Sequence, residues 1–194
     1  MKTAVNKEAE KQGISSKLTK AFGFLKTIKQ KIVKERAQTV EEDEFANMIC
    51  PLTGALSRIG LSSYFDQIVP SELSKMSLIF IELDYFDDHV RQFSTTASDK
   101  NLQKIVNQII NTCCGDRDLL ARWSLKELVL VCPDMPLKDA TKLANKISQT
   151  IKRMTWSKGT EITCSAGASQ ANGEDLHHII SRAKEEILKA RKAA

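Results

Sequence analysis

Two short apolar runs constrain this chain more than any other feature. Leu128-Val129-Leu130-Val131-Cys132 stops at Pro133, and Leu78-Ile79-Phe80-Ile81 runs into the carboxylates Glu82 and Asp84. Both read as strands. The first is the outgoing arm of a β-hairpin, with arms at Leu119–Trp123 and Glu127–Cys132 joined by a short corner. Strand-end carboxylates beside a hairpin tip suit a divalent cation and a phosphate. Here the tip offers Ser124, Leu125 and Lys126, and a lysine ammonium repels a dication.

The elements around these strands follow from periodicity and breakers. Helices are expected over Thr53–Ile68, Ser98–Cys113, Leu137–Met154 and Asp175–Arg191. Strands are expected over Ser77–Asp84 and Glu161–Ala168, with Pro70, Gly115, Pro133, Pro136, Gly159 and Gly173 at the breaks. There is no run of parallel βα units and no Gly-rich phosphate loop. One sheet with helices packed on its faces is the architecture expected.

At 194 residues the chain holds one domain and an appendage, residues 47–194 and 1–46 respectively. The appendage is basic. Residues 1–40 carry ten Lys or Arg against three Glu, a balance of +7 within a net charge of +5, so the remainder sums to −2. That distribution argues for a basic arm and against a nucleic-acid-binding surface on the domain. Within the arm, Ile14, Leu18, Ala21, Leu25, Ile28 and Ile32 alternate at spacings of four and three, the seam of a coiled coil. Residues 14–35 are therefore expected to dimerise or to dock on a protein partner. Gly23 and the absence of Trp from the arm argue against membrane association. Glu41 to Glu44 then reverse the charge at a hinge.

No apolar run approaches the ~20 residues that span a bilayer, and no secretory leader is recognisable. The five cysteines, Cys50, Cys113, Cys114, Cys132 and Cys164, form no CxxC pair. Reduced thiols in a cytoplasmic protein are expected. His177-His178 reads as a surface pair and His89 as part of a solvated helix start, Asp87-Asp88-His89. Trp123 is expected to pack under the hairpin and Trp156 to cover a loop.

Five motifs in order resemble the GGDEF family of bacterial diguanylate cyclases, over residues 47–192. They are Cys50-Pro51-Leu52-Thr53-Gly54-Ala55-Leu56-Ser57-Arg58 (DPLTGLxNR in the family), Glu82-Leu83-Asp84-Tyr85-Phe86 (DxDxFK), Arg122-Trp123-Ser124-Leu125-Lys126-Glu127-Leu128 (RxGGDEF), Thr163-Cys164-Ser165-Ala166-Gly167 (TxSxG), and the closing helix Ala183–Arg191. The resemblance implies an α/β (α+β) fold with a nucleotidyl-cyclase-like palm. Its central, mainly antiparallel sheet is wrapped by helices, and here an N-terminal helix precedes it. The activity implied is condensation of two GTP molecules into cyclic di-GMP across a homodimer, with two magnesium ions in each half-site.

Position by position, the chemistry departs from that pattern. Glu82 stands at the first metal position and keeps a carboxylate. Lys126 stands where the hairpin's metal carboxylate belongs, and Glu127 remains beside it. Ser124 and Leu125 replace the two glycines, where a bulky side chain obstructs the phosphates and tolerates positive φ poorly. Val90 replaces the guanine-reading Asn and Asp87 a Lys, while Asp99 matches the second guanine-reading carboxylate, a position that a surface helix cap accounts for equally well. Arg191 replaces a phosphate-contacting Lys. The expectation is a pseudoenzyme without magnesium or any other cofactor, in which Lys126 pairs with Glu82 or Glu127.

The family's inhibitory site, an RxxD motif and a distal basic residue, maps onto Gly115, Asp118 and Lys146. Arg117 lies two residues out of register and is expected on the same strand face. Arg117, Asp118, Arg122 and Lys146 are accordingly the candidate nucleotide contacts for a cyclic di-GMP-responsive effector. The alternative is a nucleotide-independent scaffold that acts through its N-terminal helix.

Overall fold

The computed structural model describes residues 46–193, except Ser94 and residues 157–160. The expected helix over residues 14–35 lies outside the described residues. Five strands, β1 (Leu56–Ser57), β2 (Ser77–Leu83), β3 (Leu119–Arg122), β4 (Glu127–Cys132) and β5 (Cys164–Gln170), form one sheet in the order β1-β3-β4-β2-β5. Only β1 and β3 run parallel; the other neighbours are antiparallel. Helices α1 (Arg58–Asp66), α2 (Pro70–Leu73), α3 (Phe86–Gln92), α4 (Thr95–Thr112), α5 (Leu137–Lys152) and α6 (Leu176–Ala193) complete the described chain.

The two apolar runs are the central strands, β2 and β4, in register from Ser77 opposite Cys132 to Glu82 opposite Glu127. Their continuous hydrophobicity has a direct cause: both faces of the sheet are covered. Ile79, Ile81 and Leu130 face a core completed by Ile105 of α4 and Ile147 of α5. Leu78, Phe80 and Val129 face the opposite core, with Leu61 of α1 and Ile180 of α6. Each of these strand residues is at most 1% exposed, and each such side chain contributes about 1.5–3 kcal/mol relative to staying in water. Among the described residues, no helix is long and apolar enough to cross a membrane.

Several expected boundaries move. The helix expected from Thr53 begins at Arg58, because Cys50 closes a turn whose Gly54 adopts φ +71° and donates to the Cys50 carbonyl at 2.8 Å. Strand β1 then pairs with β3 before Ser57 caps α1 through the Gly60 amide. The strand expected at Glu161–Ala168 spans Cys164–Gln170, because its ladder runs the length of β2, from Leu83 opposite Cys164 to Ser77 opposite Gln170. Helix α3 was expected only as a solvated start at Asp87-Asp88-His89, without bounds or a buried face. It starts as soon as β2 ends, where Tyr85 turns the chain with φ 54°. The ring of His89 is buried on α3, not solvated, so the Asp-Asp-His run is amphipathic, not polar throughout.

Candidate functional site

Across the end of the sheet, Glu82 of β2 lies between Glu127 of β4 and Ser165 of β5. Directly opposed carboxylates repel unless something neutralises them. Helix α6 supplies the counter-charge. It crosses this face because Gly167 has no side chain there; a Cβ would run into the Ala183 carbonyl oxygen and lie 3.0 Å from Ile187 Cγ1. That close approach brings two cations of α6, seven residues apart and so on one face, over the strand ends. Lys184 Nζ donates to Glu127 Oε1 at 2.9 Å and sits 4.4 Å from the Phe80 ring centroid. Arg191 forks between two carboxylates, at 3.3 Å from Glu82 Oε2 and 2.9 Å from Asp84 Oδ1, and donates to Ser165 Oγ at 3.0 Å. Asp84 also accepts from Thr163 Oγ1 at 2.8 Å and from Ser165 Oγ at 3.0 Å.

Lys126 reaches a carboxylate that its sequence context did not single out. Its Nζ donates to Asp87 Oδ2 of α3 at 2.7 Å and lies 4.0 Å from Glu82 Oε1. The expected pairing with Glu127 does not form, because that side chain is taken by Lys184. The hydrogen bond to Asp87 pushes the Lys126 ammonium above the usual lysine value, with the Asp87, Glu82 and Glu127 charges adding to it. Four carboxylates are thus shared among three cations of the same chain. Among the described residues, no three or more His, Cys, Asp or Glu side chains converge as a metal-binding group. At the positions where the resemblance places magnesium ligands, the hairpin carries the Lys126 ammonium and Glu82 lies 3.3 Å from Arg191.

The hairpin turn itself needs no glycine. Trp123 and Ser124 amides both donate to the Glu127 carbonyl, at 2.9 and 3.2 Å, and neither Ser124 nor Leu125 has positive φ. Leu125 stands exposed at the tip. Trp123 is buried below it, with the Arg58 guanidinium 4.5 Å from its ring centroid and His177 edge-on at 5.6 Å.

Each of the four candidate nucleotide contacts has an internal partner. Arg117 lies in the turn before β3, not on a strand, so the expected shared strand face does not apply; its Nη1 sits 2.7 Å from Asp134. Asp118 folds back to accept the Gly115 amide at 2.6 Å, and burial pushes its carboxyl above the usual range against that bond. Lys146 of α5 caps α4 by donating to the Thr112 carbonyl at 2.6 Å. Arg122 donates to the Ser124 carbonyl at 3.3 Å and to Cys50 Sγ at 3.6 Å. It lines a shallow cavity of about 470 Å³ with Asn47, Cys50, Pro51, Ser124 and Leu125. Burial pushes the Cys50 thiol up, but hydrogen bonds with Thr53 and Arg122 outweigh it and hold the thiol below its ordinary value.

Sequence reasoning missed Asp87 as the partner of Lys126, and Lys184 altogether. The seven-residue spacing of Lys184 and Arg191, with Ile187 between them, was the available signal for Lys184. Asp87 stood out as an acidic residue at a lysine position, but nothing local linked it to Lys126.

The family model described as diguanylate cyclase, GGDEF domain, matches residues 48–194. Diguanylate cyclase DgcM of Escherichia coli K12 is 23% identical over 166 residues, covering 82% of this chain and 40% of that protein. The chain therefore spans about two fifths of the length of this curated relative. Among solved structures, diguanylate cyclase SiaD of Pseudomonas aeruginosa, in complex with its activator SiaC, superposes with a TM-score of 0.65 at 20% identity. That match covers 98% of this chain and 78% of SiaD. The GGDEF domain of DgcB from Caulobacter crescentus, in complex with c-di-GMP, gives 0.64 at 16% identity, covering 75% and 88%.

Proposed function

From the premise that the chain belongs to the diguanylate cyclase GGDEF domain family, we propose that it is a catalytically inactive member that serves cyclic di-GMP signalling by binding. One observation carries this reading. Of the two positions where the resemblance places magnesium's carboxylates, 126 holds a lysine bonded to Asp87 at 2.7 Å, and Glu82 lies 3.3 Å from the Arg191 guanidinium. A dication entering there must displace a tethered guanidinium and lie beside an ammonium. Leu125, in place of a glycine, adds bulk where the phosphates of GTP would approach. The test incubates the full chain with GTP and Mg²⁺ or Mn²⁺ and follows pyrophosphate and cyclic di-GMP. Neither should rise above the no-protein background; turnover would overturn the assignment.

The output is then a contact, not a product, and a protein contact through the N-terminal region is the reading best supported. Asp118 and Lys146 are committed to shaping the loop between α4 and β3, which leaves the inhibitory-type site without its pair of free groups. The relative matched over nearly the whole chain, SiaD, was solved with a protein activator. A second reading, direct reception of cyclic di-GMP, draws on Arg117. Its side chain is 71% exposed and its ion pair with Asp134 is open to water, so a phosphate can compete for it. Titration calorimetry with cyclic di-GMP separates the two. Heat-silent mixing at high micromolar concentration supports the protein contact, and saturable heat lost in Arg117→Ala supports reception.

A further inference from the structure

The buried His89 imidazole joins α3 to α4. It is 8% exposed, lies parallel to the Phe86 ring at 5.6 Å and packs on Phe93 at 4.8 Å. Both ring nitrogens are used: the Asn101 amide nitrogen lies 3.2 Å from Nε2, and Ser98 Oγ lies 3.1 Å from Nδ1. Ser98 and Asn101 are three residues apart on one face of α4, so they grip the ring as a pair. With the Asn101 amide donating, Nε2 must accept, and Nδ1 carries the proton and donates to Ser98. With the amide so oriented the ring is held neutral, because an imidazolium has two donors and one of them would face the Asn101 N–H. An imidazolium is accommodated only once the Asn101 amide turns its oxygen towards Nε2.

We infer that His89 is a pH-sensitive latch: its protonation loosens α3 from α4 and, through Asp87 on the same short helix, frees Lys126 at the hairpin tip. The link is covalent and brief. Asp87 stands two residues before His89 and supplies the 2.7 Å contact that fixes Lys126, whose carbonyl in turn accepts from the Leu83 amide at 2.8 Å.

The surrounding charges do not offset the effect. On α3, Asp88 pairs with Arg91 at 3.4 Å and Asp87 with Lys126. On α4, Asp99 and Lys100 fall between the two gripping residues in sequence. None of these carboxylates and cations bonds the ring, whose nitrogens meet Ser98 and Asn101. Burial pushes the His89 imidazole below its ordinary value. The sign follows: neutral His89 stabilises the closed seam fully above the unfolded-state value of about 6.5, and that contribution is lost as pH falls through the folded-state value. Each unit by which the folded value is depressed multiplies the acid-induced opening equilibrium by about ten.

The test uses the full chain and two readouts. NMR follows the three histidine side chains from pH 7.5 to 4.5. Hydrogen exchange, corrected for intrinsic rates, follows the amides of α3 and of residues 123–127 at pH 7.5 and 5.0. His89 should titrate below His177 and His178, and α3 and the hairpin should open together at pH 5.0. His89→Gln, which keeps an uncharged amide at the same place, should remove the pH dependence while the exposed histidines still titrate. Asn101→Asp should hold imidazolium and raise the His89 titration point by at least a unit. The latch is refuted if His89 titrates with the exposed pair. It is equally refuted if α3 opens on acidification just as readily in His89→Gln. Should that variant fail to fold, the direction of the Asn101→Asp shift decides alone.

Discussion

Gly167→Ala tests how α6 delivers its cations to the strand ends. The new methyl group would collide with the Ala183 carbonyl oxygen and lie 3.1 Å from the Ile187 amide nitrogen. Both are backbone atoms of a helix and cannot swing aside, so α6 must rise from β5 or β5 must bend. Overpacking of this kind costs about 1–3 kcal/mol. In a domain of this size each kcal/mol moves the melting temperature by about 2–4 °C, so a fall of roughly 2–12 °C is expected. The consequence at the site is specific. Arg191 follows Ile187 by one helical turn, and a 1 Å lift would stretch its 2.9 Å bond to Asp84 beyond good hydrogen-bonding range. Thermal unfolding by circular dichroism and hydrogen exchange of α6 measure the two effects. An unchanged melting temperature with unchanged protection of residues 184–191 would refute the argument that this glycine sets the helix's position.

Two further outcomes are expected. Arg191→Met should lower the melting temperature by about 1–4 °C, as befits a partly exposed ion pair, and should speed tryptic cleavage at Lys189. The stability difference from the parent chain should narrow at high salt; a difference that persists at 1 M NaCl would point to lost packing instead. Among the thiols, burial pushes Cys164 up to about 12 and Cys132 higher still, so neither should react with a disulfide reagent at pH 8 until the chain is unfolded. Cys50, held low by Thr53 and Arg122, should react before either; early labelling of Cys132 or Cys164 in the native protein would contradict this.

The fold was legible where a single physical cause acted locally. Burial on both faces of the sheet makes β2 and β4 continuous apolar runs, and Leu102, Ile105, Val106 and Ile109 mark the buried face of α4 at helical spacing. The extent and buried face of helix α3 escaped notice because seven residues carry too few apolar positions to declare a period, and the burial of His89 depends on Ser98 and Asn101 from the next helix. The start of α1 was misplaced because Gly54 turns the chain before the helix begins.

By itself the sequence determined four of the five strands, the order of the motifs and the presence of a cation at hairpin position 126, while β1 lay inside an expected helix. Tertiary structure alone decided which carboxylate each cation meets. Arg191 and Asp84 are 107 residues apart, and Lys126 and Asp87 are 39 apart. Periodicity assigns a side chain to a face, but the distance between faces is set by packing. Here the left-handed turn at Tyr85 places Asp87, and the bare Cα of Gly167 lets α6 settle onto the sheet.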